Sequence, residues 1–319
     1  MSQPAMPGAS TGAETETIRK AGPLDITALV TVAMIWASAF IAIKVAVPAT
    51  GPLWLAASRV AIGALVLAPY ALWRGLVLPQ TLRIWALVIL MALFNVVVPF
   101  FLISWAGLTI DAGMMALLMG TGPFMALIGS HFFTHDDKIN TLKLIAVALG
   151  FSGVFVLVGG GALGQFGSTY VLAQLATLAG SLCYATSGLI VRRIPMPPTR
   201  LAFLTLCISA AILIAAALIV DGVPDTLPGA SALWALIYLG AFPTGLAYVM
   251  RYQLIRAIGF STFALSIYMI PPFGVLLGFV ILGEALQLKV IIALALILAG
   301  LYFARRGSGA AAPPGGPAR

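Results

Sequence analysis

The sequence predicts an all-α membrane protein of ten transmembrane helices, in two inverted five-helix repeats with both termini cytoplasmic. Three observations carry this. The 319 residues are 61% hydrophobic and only 8% charged, against about 25% charged in an average soluble protein. Ten apolar blocks, each near the ~20 residues that a bilayer requires, follow one another with short connections. Two proline-interrupted blocks, 116–135 and 265–284, align at a shift of 149 positions.

Residues 1–23 are rich in Ser, Thr, Pro, Gly and Ala and lack the apolar core of a signal peptide, so they are expected to be a disordered tail. The expected spans are 24–47, 53–73, 82–105, 111–134 and 141–160, then 168–191, 199–220, 231–254, 260–283 and 287–304. The first five form a repeat over 24–160, an outer loop covers 161–167, and the second repeat covers 168–304. A second disordered tail is expected over 305–319. No connection is long enough to join separate soluble domains.

The net charge is +8, which does not imply nucleic acid. The basic residues sit between apolar blocks, and all but Lys44, Arg59 and Lys289 fall on one side, which the positive-inside rule makes cytoplasmic. Arg59 reads as a residue near a helix end whose side chain snorkels to the outer interface. Cys183 and Cys207 both lie inside spans and read as packing residues rather than a disulfide. No grouping of His, Cys or acids supports a metal, and no cofactor is expected.

At the shift of 149, Trp85 meets Trp234, Leu90 meets Leu239, Pro123-Phe124 meets Pro272-Phe273, and Gly129 meets Gly278. Five spans per half is odd, so the second copy must cross the membrane in the opposite sense. Proline removes a backbone donor and clashes with the preceding turn, so helix breaks are expected at Pro123 and at Pro271-Pro272. Paired interruptions in two halves point to a transport site near the midplane.

WASAFIAIK in the first span, Arg59 in the second, and PFGVLLGFVILGEALQ followed by LALILAGLYF resemble the EamA family of the drug/metabolite transporter superfamily. The resemblance covers roughly 24–304 and looks most like that family's bacterial aromatic amino-acid exporters. Thr134-His135 stands where the family pattern has the Gly-Glu seen at Gly283-Glu284. The resemblance implies a central cavity ringed by the first, third, fourth, sixth, eighth and ninth spans.

None of the nine acids lies in the middle of a span, which disfavours a carboxylate proton relay and a cationic cargo. Expected lining residues are Trp36, Ser38, Asn95, Met119, Thr121, Tyr184, Thr244, Tyr248, Tyr268 and Met269, with Trp105, Met114 and Tyr252 beside them. Aromatic faces bury an apolar side chain while hydroxyls and amides hold a polar end. Gly120, Gly122, Pro123, Pro243, Gly245, Pro271, Pro272 and Gly274 are expected to supply bends or close packing. Asp111 reads as the cap of the fourth helix, and His131 as a hydrogen-bonded interface histidine.

Two motifs are declined. GGGALG at 159–164 follows a membrane helix, not a strand, so it does not bind nucleotide. GFSG at 150–153 reads as small residues packing helices, not a serine nucleophile.

The resemblance then implies no enzyme. It implies a multi-pass inner-membrane transporter, monomeric or weakly oligomeric, exporting aromatic, neutral and other hydrophobic amino acids and related metabolites by alternating access. The alternative is a broad-specificity drug/metabolite exporter or a sugar-phosphate-type exchanger of the same fold.

Overall fold

In the computed structural model, residues 19–73, 75, 78–133, 139–162 and 167–309 are described. Among them, ten helical segments are long and apolar enough to cross a membrane. The first five are Pro23–Thr50, Pro52–Trp73, Leu82–Ala106, the pair Ala112–Met119 and Gly122–Phe133, and Thr141–Ala162. The second five are Thr169–Val191, Pro198–Val220, Ala230–Ile258, Phe260–Leu282 and Leu288–Gly309. The expected ends are met to within a few residues. The largest extensions are at the ends of the eighth and tenth spans, where helix continues past the apolar stretch into Arg256 and Arg306. Cations there complement the carbonyl end of a helix.

The packing pairs show how the halves relate. The first span packs on the ninth as the sixth packs on the fourth. The first meets the eighth as the sixth meets the third, and the second meets the eighth as the seventh meets the third. The second with the seventh, the fourth with the ninth and the fifth with the tenth each map onto themselves when the halves are exchanged. A two-fold relation between five-span units produces this pattern, and the odd number makes it an inverted repeat.

One departure from that symmetry decides which side is closed. The first span also packs on Ala112–Met119, the opening half of the fourth, more closely than the sixth packs on the ninth. Every residue from Ala112 to Leu118 is buried. Toward the side holding the chain ends, Met125 to Gly129 and Ile267 to Ile270 are all partly open. The bundle is therefore most tightly closed where the fourth span begins, on the side away from the described chain ends.

The paired breaks expected at the prolines are not both present. The fourth span turns at Gly120-Thr121 and restarts at Gly122, which places Pro123 in a first helical turn where its missing N–H leaves no bond unmade. The ninth span stays one helix through Pro271 and Pro272. Gly120 and Pro271 face each other so closely that a Cβ on the glycine would stand 2.5 Å from the proline ring. Gly274 packs in the same way on Ala116.

Candidate functional site: a mid-membrane polar cluster

The matched irregularities lie in the third and eighth spans. Each widens into a π-helical turn, at Leu93–Val97 and at Gly240–Leu246. Shifted by the 149 positions of the repeat, 93–97 falls on 242–246, inside the second of these. Such turns insert one residue into the helix and recur at functional sites. Proline is one cause. Pro243 has no N–H to give the Leu239 carbonyl, and the Thr244 hydroxyl donates to that oxygen instead, at 2.8 Å. The carbonyl of Pro243 accepts from Trp36 Nε1 of the first span at 3.2 Å. In the third span, Ser209 of the seventh donates to the carbonyl of Ala92 at 3.3 Å. The freed backbone is thus satisfied by side chains, as an apolar surrounding demands.

Asn95 and Thr244 occupy corresponding places on the two π-turns, near the middle of their spans. Asn95 Nδ2 donates to the Tyr248 hydroxyl at 3.3 Å, and its Oδ1 accepts from Ser187 of the sixth span at 3.1 Å. Asn95 therefore points between the halves, yet it is only half-buried, as are Tyr184 and Tyr248.

Arg59 reaches into the same region, and here the sequence expectation is overturned. Its side chain does not snorkel to an interface. It is 6% exposed, and its Nε and Nη2 donate to Thr244 Oγ1 at 3.4 and 3.3 Å. The guanidinium stacks 3.9 Å from the ring centroid of Phe100. The cause is close packing of the second span on the eighth. A Cβ at Gly63 would stand 2.6 Å from Thr244, and one at Gly240 would stand 2.9 Å from the Arg59 carbonyl. Two turns below Pro52, the arginine is held against the π-turn instead of rising to the surface.

The remaining expected residues divide. Ser38 shares a 2.6 Å hydrogen bond with Tyr238, and Trp36 packs edge-on to Phe263. Thr121, at the turn of the fourth span, lies 3.4 Å from Ser181, whose hydroxyl also donates to the carbonyl of Met119. Tyr268 and Met269 are half-buried one turn before the prolines, away from the hydrogen bonds of the cluster. Trp105 is half-buried, and Met114 accepts from Gln174 at 3.1 Å, a packing contact on the closed side. His131 accepts from the Ile139 amide at 3.2 Å. The side chain of Tyr252 and residues Thr134 and His135 lie outside the described residues. Ser187, Ser181 and Tyr238 went unsingled by sequence, since small hydroxyls and aromatics on a span look like packing.

The closed side carries a second polar feature. Gly283, left-handed at φ 68°, ends the ninth helix and turns the chain back so that the Glu284 amide donates to Gly278 O. The Glu284 carboxylate then accepts from the Ala112 and Gly113 amides at 2.6 and 2.9 Å. Asp111 occupies the N-cap position but makes no side-chain cap. The expected cap is replaced by Glu284 from the other half, a carboxylate at a helix start.

An inverted five-plus-five helical bundle with polar groups gathered midway along its spans is an architecture suited to a membrane transporter. The EamA-like transporter family matches this chain twice, over residues 24–159 and 171–306. The chain belongs to that family. Among its relatives is a protein of Streptantibioticus cattleyicolor named "Probable terminal-alkyne amino-acid exporter", 25% identical over 88% of this chain and 93% of its own. Another is the uncharacterized inner membrane transporter YedA of Escherichia coli K12, 28% identical over 82% of this chain and 83% of its own. A solved crystal structure covers 88% of this chain and 96% of its own at a TM-score of 0.62 and 23% identity, a likeness of fold.

Proposed function

We propose that the protein exports aromatic, neutral and other hydrophobic amino acids and related metabolites across a bacterial inner membrane, with both termini cytoplasmic. The halves alternate access to the midplane, as a facilitator or an exchanger. The observation that carries the reading is the half-buried group of Trp36, Asn95, Tyr184 and Tyr248 around the buried Thr244, which offers rings, an amide and hydroxyls but no carboxylate. Such a lining buries an apolar side chain and orients a polar end, and it gives a cationic cargo no counter-ion. The relative named as an amino-acid exporter supports the same direction.

The test is flux in proteoliposomes with labelled phenylalanine, leucine, lysine and aspartate, with and without a pH gradient. Phenylalanine and leucine should move saturably and compete; lysine and aspartate should not. Trp36→Ala or Tyr184→Ala should lower phenylalanine flux by about tenfold, the scale of one lost aromatic burial. Unsaturable flux, or full flux in both variants, overturns the reading.

A further inference from the structure

A guanidinium stays charged in any protein setting, and an uncompensated charge inside a membrane is costly. Arg59 is buried at the level of the π-turns, and among the described residues the one ion pair is Arg19 with Asp25, far from it. Its partners are a neutral hydroxyl and an aromatic face. The titratable groups beside it are the phenols of Tyr184 and Tyr248, not carboxylates. Nη1 donates to no described residue and is not sealed away. The only polar side-chain atom among the described residues that is both closed off and unpartnered is Arg251 Nε. The protein therefore holds a cation midway along its spans, oriented by Thr244 and Phe100, with the Nη1 donors left over and no counter-ion among the described residues.

We infer that Arg59 is the anchor for a carboxylate on the transported molecule, with the cargo supplying the missing negative charge. A planar carboxylate matches the guanidinium edge, and such charge-assisted pairs are among the strongest hydrogen bonds available. Asn95, Tyr184 and Tyr248 would then receive the rest of the molecule. The cargo class sharpens to hydrophobic carboxylates, for which an ammonium group is tolerated rather than required. This rests on the placement of the site proposed above but not on amino acids being the cargo.

Ligand binding to purified protein tests it, read as thermal stabilisation and converted to affinity. The probes are 3-phenylpropionate, phenylalanine, phenylalaninamide, phenethylamine and phenyl phosphate. The carboxylates should bind at least about tenfold more tightly than the amide and the amine, the minimum expected of a charge-assisted pair. Arg59→Gln should erase that preference, and Arg59→Lys should keep part of it, since lysine offers charge without the planar fork. Equal binding of phenethylamine and 3-phenylpropionate overturns the inference, as does binding of phenyl phosphate alone. Persistence of the preference in Arg59→Gln also overturns it. If the variants do not fold, the wild-type ranking decides by itself. Should 3-phenylpropionate bind through Arg59 while phenylalanine neither binds nor moves, the amino-acid reading falls and the anchor stands. Transport of phenylalanine with no carboxylate preference gives the reverse.

Discussion

The third and eighth spans share a backbone defect and put different chemistry on it. In the third, the π-turn presents Asn95 outward, toward Tyr248 and Ser187 of the other half. In the eighth, Thr244 is turned inward: it covers its own helix's orphaned carbonyl and holds Arg59. The first is a half-open amide able to exchange partners; the second is a fully buried joint. The repeat has kept the place where the helix opens and let the two copies divide the labour, one for contact and one for support.

Breaking the support side should cost most. Gly240→Val drives a branched side chain into Ile62 and the Arg59 carbonyl, and overpacking of this kind costs about 1–3 kcal/mol or more. A large drop in the detergent unfolding midpoint is expected, while Gly188→Ala, with no atom within 4 Å of the added carbon, should scarcely move it. Next comes the pair itself. Thr244→Val leaves the Leu239 carbonyl and two Arg59 donors without their partner, and each such buried group costs about 1–3 kcal/mol. Asn95→Leu removes a half-buried group, so its stability loss should be about half as large while its flux loss is larger. Equal stability losses would show that the two π-turns do the same job. The smallest effect belongs to Pro272→Ala. The ninth helix already runs through this position, so the unfolding midpoint should hold or rise. A substantial fall would mean that the proline shapes the helix in a way its continuity hides.

The sequence made the spans legible because membrane length and apolar content leave few alternatives. The inverted arrangement followed from parity. The site was legible only in part, and the reason is physical. Proline was read as the place where a helix must open, but whether it opens depends on what stands beside it. Pro271 and Pro272 remain helical against the fourth span, whereas Pro243 helps to open a π-turn whose carbonyls find Trp36 and Thr244. Arg59 was placed by its distance from the helix end. Its fate is set instead by Gly63 and Gly240, which draw two backbones together, and nothing in the local sequence of the second span announces that contact. Asp111 looked like a cap because it stands at the right position. The acid that does the capping arrives from 172 residues away.

That distant carboxylate touches only main-chain amides. The two bonds thus depend on Ala112 and Gly113 keeping their amide hydrogens, while Gly113 must also stay small, since a Cβ there would stand 3.2 Å from Val275 Cα and 3.3 Å from Glu284 Oε2. Separating the halves on that face strips Glu284 of both amides at once, and no other described side chain is bonded there to replace them. Water must enter as the seam parts, so wetting of this seam and opening of the closed face are a single event.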